Sequence, residues 1–394
     1  MDNVRAELRH GISFFLDTYS RNECSFGLVP DSYPTPYSDV ASIAGSGFLY
    51  PALIAAVEEG MLPFSEAKGI AEKSVACLRR LERIKGWYYH FYRISSGKPR
   101  EHAEVSTVDT ALLLAGVFAA AGYFHGEIEK EAKEMLNEID FPFFLQTYGH
   151  MFSMSLEPDG RFNGHWDRYA EQLLLYVLGA GSDHPERAMD PSIYHGFIRD
   201  YGEYGKHRFI CSWHGSLFTY QYSHGYIDFR GTKDEDGIDW FTNSVEASRA
   251  AYEYACDEEG KFASFHQKSW GLTACANEAG YSGRYGSPPS GEGITFNDGT
   301  VAPCASLGSI VFTPKESIEA LDYFYAHTKL VGDYGLVDSY NDDTNFICPY
   351  YLAIDKGICI VMIENFLRES IWRSFMSVDA VQNGLRRIGI RKAK

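Results

Sequence analysis

Residues 164–179 read GHWDRYAEQLLLYVLG, and the reading of the fold turns on this stretch. The run Leu173 to Leu178 is apolar throughout, and a helix carrying it is apolar on every face, which requires other elements all round it. Just ahead of that run stand His165, Trp166, Asp167, Arg168 and Glu171. Charge at the mouth of an enclosed helix needs a reason, and the two available are helix capping and chemistry.

Working outward, four further segments share the enclosed character and are rich in small residues: 41–57, 106–124, 300–312 and 351–366, alongside 169–181 itself. Between them lie segments 4–19, 64–83, 126–140, 238–256 and 314–329, whose apolar residues recur every three or four positions and whose opposite face is charged. Period-two alternation is confined to short pieces such as Gly225 to Arg230, so the chain reads as all-α. Enclosed and surface helices in succession, about six pairs, predict an (α/α)6 barrel, or toroid, as a single domain over residues 1–394. Thr313-Pro314-Lys315-Glu316 has the form of a capping box, and Ser106 precedes Asp109 by the same spacing. The loops near 182–220 and 279–300 decorate one rim.

Composition narrows the function. With 36 basic and 53 acidic side chains the net charge is −17, a field that repels phosphate backbones and anionic headgroups, so nucleic acid and membranes are not expected partners. The 27 tyrosines offer apolar faces with hydroxyls, as a sugar-binding surface does. Eight cysteines lie scattered without a C-x-x-C pair, which predicts neither a zinc site nor a disulfide framework. No phosphate-binding loop, dinucleotide fingerprint or nucleophile elbow is present, so no cofactor is expected. The start MDNVRAELRHGISFFLD lacks a signal-peptide core, and no stretch reaches about 18 uninterrupted apolar residues, which predicts a cytoplasmic location, or a secreted or periplasmic one if a leader has been removed.

In a toroid the inner helices start on one rim, so first-turn residues far apart in sequence converge. Asp167 with Glu171, Glu104 with Asp109, and His224 with Asp228 are the candidates. Acidic residues also favour helix N-termini through the dipole, and for Asp109 and Asp167 capping and function remain open. Glu171, further into the expected helix, lies too deep to cap. Asp355 sits in YLAIDKGICIVMIENF, where a buried carboxylate costs several kcal/mol unless paired, with Lys356 or an arginine, or protonated. The spacing of His224 and Asp228 suits two metal ligands on a helix, but no third ligand is near and no metal site is expected. Trp166 and Trp270 are core residues or sugar platforms.

In order along the chain, GLVPDS, ASIAGSGF, EVSTVDTALLLAG, WDRYAEQLLLYVLGAGS, LFTYQYSHGYIDFRG, SWGLTACA, DGTVAPCASLGSIVFTPKESIEAL and YGLVDSYN with YLAIDKGICIVMIENF resemble the glycoamylase-like domain. That domain is shared by bacterial endo-β-1,2-glucanases and cyclic β-1,2-glucan synthases. The resemblance runs from about Gly27 to Met376 and implies an (α/α)6 barrel hydrolysing β-1,2-linked glucan or its oligosaccharides with inversion. By motif it implies Glu171 as general acid and Asp355 as general base; Glu104, Asp109, Trp166, Tyr169, His224, Asp228, Arg230 and Trp270 are expected to shape the substrate subsites. A β-1,2-glucan transglycosylase and a non-catalytic glucan-binding protein are the alternatives. Asp31-Ser32 departs from the Asp-Arg frequent in the family.

Overall fold

Helices of two compositions alternate along the chain, and composition sorts them into two layers. In the computed structural model, which describes residues 1–393, the first seven are α1 (Asp2–Thr18), α2 (Ile43–Gly47), α3 (Leu49–Glu58), α4 (Phe64–Leu78), α5 (Thr107–Phe124), α6 (Glu127–Glu138) and α7 (Leu173–Gly181). They are followed by α8 (Tyr222–Tyr226), α9 (Trp240–Asp257), α10 (Pro303–Leu307), α11 (Pro314–Ala326), α12 (Ala353–Leu367), α13 (Ser370–Met376) and α14 (Asp379–Arg387). The inner layer comprises α2, α3, α5, α7, α8, α10 and α12, buried along most of their lengths. The outer helices bury one stripe: in α6 it is Ile128, Ala132, Met135 and Leu136, at helical spacing, while its glutamates and lysines face water. The last inner helix, α12, packs against α1 and closes the ring, and the architecture is an (α/α)6 toroid.

Backbone contact between inner helices depends on glycine. A Cβ on Gly116 of α5 would stand 2.0 Å from the carbonyl oxygen of Gly47 in α2, so only glycine allows this approach. Helix α5 is long and apolar enough to cross a bilayer, and here it is enclosed by its neighbours instead. At the C-terminal ends of the inner helices, α13 touches α3, α5, α8 and α12, with Phe375 against Tyr226 and the Trp372 indole donating to the carbonyl of His224 (2.7 Å). That end of the toroid is closed.

The opposite rim is built by short antiparallel ladders. Val40–Ser42 pairs with Phe91–Arg93 and runs into α2. Val105–Ser106 pairs with Ser155–Leu156 and runs into α5. Tyr351–Leu352 pairs with Ser32–Tyr33 and runs into α12. The ladders hold the N-termini of these inner helices at one level.

Several expected boundaries move. The segment 41–57 opens as a strand and breaks at Phe48; 64–83 ends its helix at Leu78, before the hairpin Arg83–Ile84 with Trp87–Tyr88. The segment 300–312 keeps only α10, because the chain turns from Gly308, where a Cβ would stand 2.5 Å from Gln221 Oε1. Ser106 caps α5 as its position suggests, accepting from the Asp109 amide, whereas the Thr313 capping box does not form: its hydroxyl donates back to the Ser309 carbonyl (3.3 Å).

Candidate active site

A cavity of about 190 Å³ opens among the N-termini of the inner helices, and Asp109, Glu171, Gln221, Tyr222, Tyr281 and Asp355 line it. Three helix starts deliver the carboxyl groups: Asp109 in the first turn of α5, Asp355 in the first turn of α12, and Glu171 just ahead of α7. Tyr281 comes from a hairpin, Cys275–Asn277 with Gly280–Ser282, that reaches over the cavity.

Glu171 is not inside a helix, contrary to the sequence reading. Tertiary bonds hold residues 164–172 in extended and turned conformations: the Asp167 carbonyl accepts from the Ile198 amide (2.6 Å), and its side chain accepts from the Trp213 indole (2.8 Å). The Gln172 side chain donates through Nε2 to the Arg168 carbonyl (2.6 Å). Ser223 of α8 then fixes the corner, donating to the Glu171 carbonyl (2.6 Å) while accepting from the Leu174 amide (3.2 Å). The carboxyl is left buried with Oε2 unpartnered. Burial, with a smaller contribution from the negative charge of Asp109, pushes it up to about 8, so it is a neutral acid at pH 7.

Asp355 is not neutralised by its neighbour. Lys356 turns away and pairs with buried Glu7 of α1 (2.8 Å). Asp355 Oδ2 is buried without a donor, and the group facing it is a second aspartate, Asp338, whose Oδ1 is likewise unpartnered. Burial first, and the charge of Asp338 second, push Asp355 well above the usual carboxylate range. Asp338 was not among the sequence candidates. Its segment YGLVDSY sets a carboxylate among apolar and small residues, the same cue that singled out Asp355, and it carries no helical period to draw attention to it.

A third polar group flanks the cavity. His90 Nδ1 lies 2.6 Å from Glu104 Oε1, and its Nε2 lies 3.7 Å from Asp109 Oδ1. Burial lowers the imidazole pKa, but Asp109, Glu104 and Asp31 outweigh it and push the ring up to about 9, so it is a cation holding two carboxylates. The Ser106 hydroxyl also donates to Asp109, so this residue serves both its helix start and the cavity. Glu104 reaches the site through His90. Nothing in the run YYHFYR marks His90 in sequence, because its role depends on a ladder that pairs distant strands.

A neutral acid and a carboxyl that line one cavity, the second backed by another carboxyl outside it, can give and take a proton across a bound substrate. A family model described as "Putative glucoamylase" (Glycoamylase) matches residues 163–379, just over half of the chain, including Glu171, Asp338 and Asp355. The chain belongs to the glycoamylase-like family. It is 24% identical over 413 aligned positions to an exo β-1,2-glucooligosaccharide sophorohydrolase acting at the non-reducing end from Parabacteroides distasonis, covering 93% of this chain and 55% of that protein. The chain thus spans about half the length of that curated relative. An endo-β-1,2-glucanase from Chitinophaga pinensis, solved with sophorotriose and glucose, superposes with a TM-score of 0.89 at 25% identity, covering 99% of this chain and 98% of that one. A β-1,2-glucanase from Parabacteroides distasonis shares the fold with a TM-score of 0.88 at 22% identity, over 98% of this chain and 60% of that one.

The glycoamylase-like chain places the remaining candidates elsewhere. Trp166 is only 4% exposed, its indole donating to Thr107 Oγ1 (3.0 Å), and it packs beneath Trp213. Tyr169 stacks on Trp240 at 4.9 Å and its hydroxyl meets His224 Nε2 (3.2 Å). His224 also meets Ser244 (2.9 Å), and burial pushes its pKa down to about 3, so it is a neutral core residue. Asp228 and Arg230 lie past the C-terminus of α8, toward the closed end, joined by two bonds of 2.8 Å with Arg230 bridging on to Glu369. His224 and Asp228 therefore do not converge as a ligand pair. Trp270 is fully buried against Tyr252, with its indole toward the Glu316 carbonyl (3.4 Å). None of these six lines the cavity.

Proposed function

We propose that the chain works as one catalytic domain, a glycoside hydrolase that cleaves β-1,2-linked glucan or glucooligosaccharides with inversion. The observation that carries this reading is the common cavity of Glu171 and Asp355, one held neutral by burial and the other backed by a second carboxyl. The printed activities of the Parabacteroides and Chitinophaga relatives support the β-1,2 linkage.

In this mechanism Glu171 gives its proton to the glycosidic oxygen as the bond to C1 breaks. A water on the opposite face of the sugar loses a proton to the Asp355 side and forms the new bond to C1. The Tyr222 and Tyr281 rings supply walls for a pyranose, and Gln221 lies in the cavity wall with its amide committed to the Ala305 carbonyl (2.7 Å) and Ser309 (2.9 Å). Solvent exchange then resets Glu171 and the base.

The test is a panel of β-1,2-, β-1,3-, β-1,4- and α-1,4-glucans assayed for reducing ends, with product anomers followed by NMR. Cleavage of the β-1,2 member with the α-anomer appearing first is expected, and Glu171→Gln and Asp355→Asn each lower kcat by about 10²–10⁴-fold while the fold persists. Near-normal rates in either variant, or binding without cleavage across the panel, overturn the assignment.

A further inference from the structure

The inference rests on the glycosidase reading and concerns what receives the proton taken from water. The two oxygens of Asp338 have opposite surroundings. Oδ2 accepts from the Ala276 amide (2.7 Å) and from the Ser339 hydroxyl (3.0 Å), whereas Oδ1 is buried and has no donor in the protein. Asp355 Oδ2 is buried and donorless in the same way, and the two carboxyls line one narrow void together. Two carboxylates facing each other in a dry pocket do not both ionise, so the pair retains one proton between Asp338 Oδ1 and Asp355 Oδ2. The two donors on Asp338 Oδ2 favour its anionic form, which leaves the proton on Asp355 in the resting state.

Among the described residues the nearby cations are held by other carboxylates, and Lys356 lowers Asp355 by less than Asp338 raises it. Lys356 is committed to Glu7, and His90 to Glu104 and Asp109. The other groups facing the pair are thiols and phenols: Cys304 from α10, Cys359 from α12, Tyr222 from α8, Cys275 and Tyr281 from the covering hairpin, and Cys348 and Tyr350 from the loop before α12. Burial pushes the thiols, Tyr222 and Tyr350 up, so they stay neutral, and the half-exposed Tyr281 is a phenol, neutral at pH 7. Glu171, across the cavity, is neutral at pH 7.

We propose that the base of this enzyme is a carboxyl dyad, in which Asp355 meets the attacking water and Asp338, behind it, is the proton acceptor. As the water oxygen bonds to C1, one water proton passes to Asp355 Oδ1, and the proton on Asp355 Oδ2 moves to Asp338 Oδ1. The dyad gains one proton, Glu171 loses one to the leaving oxygen, and the charge on the enzyme is unchanged. Asp338 is thus a positioning residue that acts through Asp355. Its tie to the Ala276 amide also links the dyad to the hairpin that carries Tyr281 over the substrate cavity.

Asp338→Asn separates this role from a merely structural one. The Asn carbonyl can keep both donors, from Ala276 and Ser339, while its NH₂ group faces Asp355 Oδ2. Like-charge repulsion disappears and Asp355 ionises at lower pH than the second step of the wild-type dyad. The active wild-type dyad carries its single charge on Asp338, under the Ala276 and Ser339 donors, whereas in the variant the charge is confined to buried Asp355, so the expected result is an acidic limb of kcat/KM displaced upward. A limb matching the wild type overturns the dyad. A second reading needs no turnover: the thermal unfolding midpoint against pH. Carboxyls pushed upward by folding stabilise most below their ordinary range and lose that contribution as pH rises through their folded values, so wild-type stability falls with pH. Asp338→Asn flattens that fall and leaves the portions due to Glu171, Glu364, Asp31 and the burial of Asp355 itself. An unaltered slope overturns the dyad even where no glucan is cleaved, whereas failure of every glucan with a flattened slope overturns the glycosidase reading and leaves the shared proton standing.

Discussion

The two ends of the toroid treat buried carboxylates in opposite ways. At the open rim, Glu171 Oε2, Asp338 Oδ1 and Asp355 Oδ2 are buried without donors. At the closed end, Glu59 is bound by Arg5 and Arg9, each at 2.9 Å, and by Arg368, while Glu364 is bound by Arg368 (2.8 Å) and by Ser370 (2.6 Å). Unpaired burial costs stability and is retained where a proton must be held ready; paired burial fixes geometry. Helix direction adds to the contrast, because the inner helices point their positive N-termini at the open rim and their C-termini at the closed one, where Arg368 follows the last residue of α12.

If the closed end is structural, Arg368→Ala leaves Glu364 without its ion pair and Glu59 with two of its three arginines. It should cost about 3 kcal/mol of stability, at the low end for a broken buried pair, with kcat of the folded fraction unchanged. Chemical denaturation and an assay at low temperature check both halves, and a large fall in kcat breaks the comparison. If the open rim is chemical, activity falls as pH rises through about 8, tenfold for each further unit, because the neutral Glu171 donor is lost. A rate profile flat from pH 7 to about 10 removes Glu171 from the acid role.

Much of this architecture is legible in the chain because it depends on local composition. The period of α6, the small-residue run of α5 and its Ser106 cap fall within a few residues of their expected places. A carboxyl among apolar residues is costly, which singles out Asp355 and applies equally to Asp338, whereas Glu171 stands out in sequence as too deep in a helix to cap and in the structure lies just ahead of α7. What composition does not carry is direction. Trp166, Tyr169, His224 and Trp270 have the chemistry of a sugar site, yet each turns into the packing between layers, which only the tertiary neighbours Thr107, Trp240, Ser244 and Tyr252 decide. The start of α7 fails for a related reason: Asp167 and Arg168 suit a helical turn, but the bonds to Trp213 and Ile198 hold the chain extended. His90 and Asp338 belong to a ladder and a loop, where no periodicity announces a role.

The smallest effect belongs to Asp228, a residue that sequence places with the substrate and the structure places beyond the C-terminus of α8. Its carboxylate is held by Arg230 through two bonds, and both side chains are partly exposed, at 27% and 38%. Solvent screens such a pair, and Arg230 keeps Glu369 (2.8 Å) and its seat over the Trp372 ring (4.2 Å) when Asp228 is changed. Asp228→Asn should therefore shift stability by no more than about 1 kcal/mol and leave both kcat and KM on β-1,2-oligosaccharides within about twofold. A rise in KM of tenfold or more would mean that substrate reaches the closed end, and that the division between a chemical rim and a structural one does not hold.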